Sequence, residues 1–257
     1  MAPDETAPGR SRKRWLRWTL LAIAGILVVG VVGFLVWALT PLGPEESALE
    51  ALQSDVAVTV TEVDGGWLFA PSEVTDDTGV VLYPGGRVDP RSYAPLARGI
   101  AEEGVTVTLA SMPFNLAVFD PDRAERLMEA APDVKAWAVG GHSLGGAMAA
   151  AYAAEKDPRV LGLVLLAAYT TDSADLSSSG LAVLSALGDN DLVVDASAWE
   201  KSRTLLPEGT TYLTIRGGNH AGFGDYGPQP GDGEASISPA DQQAATIEAV
   251  VALLGDV

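Results

Sequence analysis

Two stretches hold the residue types from which covalent catalysis is built. Gly141-His142-Ser143-Leu144-Gly145 is a G-x-S-x-G pentapeptide, and Gly217-Gly218-Asn219-His220-Ala221-Gly222 carries one of the two histidines in the chain. A serine hydroxyl becomes a nucleophile when a neighbouring imidazole takes its proton and a carboxylate orients that imidazole. His142 adjoins the serine within the pentapeptide, where its side chain is expected to point away from the serine's, so His220 is the candidate base by elimination. For the carboxylate, Gly188-Asp189-Asn190-Asp191 ends an apolar run. Asp191 is favoured because the turn beginning at Gly188 caps the strand first; Asp189 is the alternative, and Asp172 and Asp175 are more distant ones. The order Ser, Asp, His along the chain is the one this chemistry takes on an open α/β sheet.

Such a serine needs a sharp strand-to-helix turn. AWAV precedes the pentapeptide and AMAAAYAA follows it, so an apolar strand runs in and a small-residue helix runs out. Glycines on both sides let the two backbones pass closely, and the helix N-terminus aims free N–H groups at an anion forming there. The Leu144 N–H is therefore one expected oxyanion donor. The second is expected from Tyr83-Pro84-Gly85-Gly86-Arg87, with Gly86 the favoured donor. Arg87, Phe114, Asn115 and Phe223 are the candidates to line a substrate pocket.

These groups need a scaffold, and eight β-rich runs supply one: 56–60, 67–70, 79–84, 105–110, 136–141, 160–167, 181–188 and 212–218. The first two are close enough for an antiparallel hairpin. Segments 90–103, 121–131, 143–155, 196–206 and 239–254 carry apolar residues at helical spacing, with Pro90, Pro121 and Pro239 at or near their starts. Alternating strands and helices predict a mostly parallel eight-stranded sheet with helices on both faces. Only about a dozen residues separate the sixth and seventh runs, too few for a lid domain.

On these motifs the chain resembles the α/β-hydrolase superfamily over about residues 56–255. It is similar in particular to small uncapped bacterial serine hydrolases near the dienelactone-hydrolase-like group, through the blocks YPGGRVDPRSYAPLA, MPFNLAVF, GGHSLGGAMAA and GGNHAGFGDYGPQPGDG. Many members of the superfamily have His-Gly before the oxyanion donor where this chain has Pro84-Gly85. Dienelactone hydrolases proper use cysteine where Ser143 stands, so their substrate is not carried over. The resemblance implies a hydrolase that cleaves a small-molecule ester or thioester through an acyl-enzyme, without a cofactor. An acyltransferase on the same three residues, or a binding protein that keeps the fold without turnover, are the alternatives.

The remaining chemistry is bounded by composition. The chain has 257 residues, no cysteine and two histidines, which removes disulfides and thiolate sites and argues against a zinc site. Its net charge is −18; residues 1–40 hold five Lys/Arg against two Asp/Glu, leaving −21 on the rest, a charge that repels nucleic acid.

Residues 1–18 are read as a basic cytoplasmic N-terminus, with Arg10, Arg12, Lys13, Arg14 and Arg17. Residues 19–39, TLLAIAGILVVGVVGFLVWAL, hold no charge and are read as a transmembrane helix. A cleaved signal peptide and a buried core helix are the competing readings; Trp37-Ala38-Leu39 is a poor cleavage site. Residues 40–55 are a linker, and 56–257 the hydrolase domain. The positive-inside rule predicts a single-pass cell-membrane protein whose catalytic domain is extracytoplasmic. Val29 stands four positions after Gly25, so the run offers no small-x-x-x-small pair there and the oligomeric state is left open.

Overall fold

The computed structural model describes residues 9–75, 77–155, 157–255 and 257. Of the basic segment expected at 1–18, residues 1–8 lie outside the described residues. The chain divides into two compact units, one ending at Thr40 and one covering Pro41–Val257.

The first unit is helix α1, Gly9–Ala38. Its stretch Arg14–Ala38, 25 residues, is long and apolar enough to cross a membrane. Large side chains along it are exposed, Ile26 and Val29 each at 72 %, as expected of a helix whose apolar surface is not used for a core.

The second unit is built on one sheet. Its strands are β1 (Val58–Val63), β2 (Gly66–Pro71), β3 (Thr78–Tyr83), β4 (Thr106–Ala110), β5 (Ala136–His142), β6 (Val160–Leu166), β7 (Ala182–Gly188) and β8 (Thr211–Ile215). They lie in the order β1-β2-β4-β3-β5-β6-β7-β8. The hairpin β1–β2 and the pair β2–β4 are antiparallel, and every later pairing is parallel.

The central strands read as continuous apolar runs because both faces are covered. On β3, Val80 and Leu82 pack into one core with Leu96, Ile100, Val250 and Leu254. Val81 and Tyr83 pack into another with Leu127, Trp137, Ala149 and Ala153. Helices α3 (Ala94–Glu102) and α7 (Pro239–Leu254) thus cover one face, and α4 (Arg123–Glu129) and α5 (Leu144–Ala154) the other. Helix α7 starts on a full capping box, in which the Ser238 hydroxyl accepts from the Asp241 N–H and the Asp241 carboxylate accepts from Ser238. A further helix, α6 (Ala196–Ser202), follows β7. Chain connection reverses direction between β3 and β5, and at such a switch point the carboxyl ends of the strands open a crevice.

Residues 41–55, expected as a linker, are fastened to the second unit. Leu42 forms a parallel bridge with Val88. The Leu42 N–H donates to the Arg87 carbonyl and the Asp89 N–H to the Leu42 carbonyl, both at 2.8 Å. A short helix, α2 (Glu46–Glu50), buries Ala48. The Arg98 side chain donates to the Ala51 carbonyl at 2.8 Å. The β6–β7 connection holds one 3-10 turn, Asp172–Ala174, and no inserted domain.

Candidate active site

The loops that follow β3, β5, β7 and β8 all leave the carboxyl edge of the sheet, and each carries part of the site. Strand β5 runs directly into α5 through Ser143, whose backbone sits at φ 52° and ψ −122°. A non-glycine residue there costs about 1–3 kcal/mol and persists only where its surroundings enforce it. The flanking glycines provide that enforcement. A Cβ on Gly141 would lie 2.5 Å from the Tyr83 carbonyl oxygen, and one on Gly145 would lie 2.3 Å from that of Pro84. Close passage of β5, α5 and the β3 loop therefore requires glycine at both positions, and leaves Ser143 half-exposed at the turn.

The same passage brings together the two expected oxyanion donors. A Cβ on Gly86 would stand 3.0 Å from Leu144 Cδ2 and 3.4 Å from Leu144 Cβ, so the two residues are in contact. Their competitors are occupied: the Gly85 N–H donates to the Tyr93 hydroxyl at 3.0 Å, and the Ser143 N–H to the Leu166 carbonyl at 2.9 Å. Among the described residues no acceptor pairs with the N–H of Gly86 or of Leu144, the condition a donor to a developing oxyanion must meet.

His220 is buried, and its Nδ1 lies 2.8 Å from Asp191 Oδ2. The side chains of the pair are 2 % and 0 % exposed. Asp191 Oδ1 accepts from the N–H groups of Val193 and Val194, at 2.8 and 2.9 Å. Burial pushes the Asp191 carboxyl up; the hydrogen bond and charge of His220, with the Val194 and Val193 N–H groups, outweigh it and hold the group below the ordinary carboxylate range. An ionised carboxylate on Nδ1 fixes that nitrogen as the protonated one and leaves Nε2 as the proton acceptor. Among the described residues the Ser143 hydroxyl makes no hydrogen bond, to His220 or elsewhere; such contacts commonly close only when substrate is bound.

The other carboxylates are engaged in different ways. Asp189 accepts from the Gly217 N–H at 2.6 Å, tying the loop after β7 to the loop after β8. Asp172 pairs with Lys201 at 2.9 Å, and Asp175 accepts from the Ser177 N–H at 2.9 Å.

His142 does not simply point away, as its place beside the serine had suggested. Its ring centroid lies 4.4 Å from that of His220, and its Nδ1 lies 2.7 Å from the Tyr93 hydroxyl. Among the described residues His142 Nδ1 is the one acceptor beside the Tyr93 hydroxyl, which therefore donates its proton there. The imidazole is thus the neutral Nε2–H tautomer, and its buried Nε2 makes no well-formed hydrogen bond among the described residues, although the His220 backbone lies close to the ring. Burial, then the neighbouring His220, holds its pKa well below the ordinary histidine value. Tyr93 therefore links the loop after β3 to His142, the histidine that packs against His220. Its distance in sequence gave no sign of this, although the Asp89 cap and Pro90 marked the start of its turn.

The expected pocket residues divide. Arg87, Phe114 and Asn115 all sit at positive φ, 59°, 56° and 55°. The Arg87 N–H donates to the Asn115 carbonyl at 2.8 Å, so these strained residues form one rim beside Gly86, with Phe114 38 % exposed. Phe223 corrects the expectation. It is fully buried in the core, its ring 5.8 Å from His142, because the 3-10 turn Ala221–Phe223 turns it inward. Packed beside His142 with no exposed surface, it has nothing to offer a pocket.

Two hollows of about 430 Å³ lie away from Ser143, one bordered by Gly222, Asp232 and Gln242 and one by Ala153, Leu161 and Leu181. Among the described residues no group of His, Asp and Glu could hold a metal ion.

Solved structures share this architecture. A dienelactone hydrolase-like promiscuous phosphotriesterase, P91, from metagenomic libraries is 18 % identical at TM-score 0.57, covering 77 % of this chain and 99 % of its own. Carboxyl esterase 2 of Tuber melanosporum is 14 % identical at TM-score 0.54, covering 82 % and 89 %. A predicted CIB-like hydrolase of Thermoplasma acidophilum is 15 % identical at TM-score 0.54, covering 75 % and 96 %. No curated protein matches the chain. The alpha/beta hydrolase family matches it over residues 79–244. With the eight-stranded sheet and the strained serine turn, that match establishes that the chain belongs to the alpha/beta hydrolase family.

Proposed function

We propose that this protein is a membrane-anchored serine hydrolase that cleaves an ester or thioester through an acyl-enzyme. Ser143 attacks the carbonyl carbon, and His220 Nε2 takes the hydroxyl proton and returns it to the leaving group. Asp191 holds the imidazole, and the N–H groups of Gly86 and Leu144 receive the oxyanion. Water then attacks the acyl-Ser143 carbonyl by the reverse proton path. The observation that carries this reading is the buried His220–Asp191 pair at 2.8 Å, on the sheet edge from which Ser143 projects.

Two further observations support it. Gly86 packs against the Leu144 side chain, and solved structures of similar fold include a carboxyl esterase and a phosphotriesterase. The anchor reading rests on Arg14–Ala38 alone.

The test is hydrolysis of p-nitrophenyl esters of increasing chain length by the full chain in detergent. Turnover is expected, and Ser143→Ala should lower kcat by about 10⁴-fold or more. An equal rate in wild type and Ser143→Ala would rule the reading out.

A further inference from the structure

We infer that Asp232 is a positioning residue for the catalytic histidine, a carboxylate clamp that holds the acid-bearing and base-bearing loops in register; this rests on the hydrolase reading above. Asp232 Oδ1 accepts from the N–H of His220 itself at 3.3 Å, from Leu192, the residue after Asp191, at 3.4 Å, and from Gly233 at 2.8 Å. Oδ2 accepts from the Ala221 N–H at 2.9 Å. One side chain thus binds the backbone beside the acid and the backbone on both sides of the histidine's Cα. Among the described residues no other carboxylate touches both loops at those points; Asp189 joins them two residues before Asp191 and three before His220.

The surrounding chain is shaped to bring this carboxylate in. Gly231 has φ +89°, and a Cβ on Gly233 would stand 1.9 Å from the Asn190 carbonyl oxygen. Glycine at 233 therefore allows the segment to lie flat against the acid loop. The Asn219 side chain donates to the Gly233 carbonyl at 2.7 Å, closing the contact from the histidine side. The Gly-Asp-Gly at 231–233, eleven residues beyond His220, accordingly has a use: it sets where the imidazole sits relative to Asp191. A misplacement of about 1 Å in such a pair costs on the order of 100-fold in rate. Four N–H donors also suit an ionised carboxylate in particular, since an amide would turn its own donors toward at least one of them.

The experiment compares wild type, Asp232→Asn and Asp232→Ala as full chains in detergent. Three readouts are taken: fluorophosphonate labelling rate normalised to folded protein, thermal melting, and the downfield Nδ1 proton resonance of His220. Folded variants are expected to label about tenfold more slowly or worse, with the downfield resonance shifted or lost and Asp232→Asn the milder of the two. A folded variant that labels at the wild-type rate with the resonance unmoved would overturn the inference. So would collapse of both variants to unfolded chain, which would assign Asp232 to the fold. The resonance reports the His220–Asp191 geometry without turnover: a wild type that shows it yet never labels would refute the hydrolase reading, and its response in the variants would still decide the role of Asp232.

Discussion

At the scale of single residues, the site is a chain of hydrogen bonds whose order sets each proton. Asp191 claims His220 Nδ1. The Gly85 N–H donates to the Tyr93 hydroxyl, which in turn donates to His142 Nδ1; a nitrogen that accepts carries no proton, so that ring is neutral. A neutral buried His142 has a consequence for stability. Its folded pKa is depressed, by burial first and His220 second, whereas in the unfolded chain it titrates near 6.5. Above that value both states are unprotonated and the folded state loses nothing. Below it the unfolded chain takes up a proton that the folded chain refuses, so stability falls as pH drops, by at most about 1.4 kcal/mol per pH unit. Melting temperatures followed from about pH 8 down to about pH 5 should therefore decline below neutrality, and less steeply in His142→Gln. Parallel profiles for the two proteins would show that His142 is not the group responsible. Ser143, His220 and Asp191 stood out in the sequence as candidates because few residue types can do the chemistry proposed for them. Tyr93 and Asp232 could not, because a tyrosine and an aspartate have many uses and only the fold says which backbone groups they reach.

At the scale of elements, the turn from β5 to α5 decides whether the site exists. Gly145 faces the carbonyl oxygens of Pro84 and Tyr83. Both belong to backbone that cannot rotate away, so Gly145→Ala is expected to cost about 3 kcal/mol or more, or to prevent folding. Gly209→Ala, where a Cβ meets nothing within 4 Å, should stay within about 0.5 kcal/mol of wild type. Chemical denaturation midpoints would separate the two, and similar midpoints would contradict the tight passage described here. These elements were readable in advance where one physical signal dominated. Continuous apolar runs marked the later strands, residues 161–166 within β6 most clearly, because a strand covered on both faces favours apolar side chains throughout; β4 is as buried yet alternates with threonine. Proline at or near the starts of the segments leading into α3, α4 and α7 marked where helices could begin. Strand order is carried by pairings between residues far apart, so the placement of β4 outside β3 did not follow from any local pattern. The docking of residues 41–55 was equally hidden: Pro41, Gly43 and Pro44 resemble a flexible tether, yet Leu42 pairs with Val88. Phe223 failed as a pocket residue for a related reason, since an aromatic in a glycine-rich loop is read as exposed until a 3-10 turn folds it into the core.

At the scale of the whole molecule, a single apolar helix and an acidic unit of hydrolase fold make separable statements. If Arg14–Ala38 anchors the chain, the full protein should sediment with membranes and resist extraction by salt or alkaline carbonate. Removal of residues 1–40 should release it, and a full chain that stays in the supernatant would contradict the anchor. The fold itself is shared with enzymes of different reported substrates, so the chemistry of this chain rests on its own residues. The measurement that bears on it most directly is labelling of the full chain by a fluorophosphonate probe, with the modified residue mapped. A single adduct on Ser143 is expected, with none in Ser143→Ala, slowing of about 10³-fold or more in His220→Ala and Asp191→Asn, and a near wild-type rate in Asp189→Asn. Absence of labelling in the wild type, or labelling that persists in Ser143→Ala, would contradict the serine hydrolase reading.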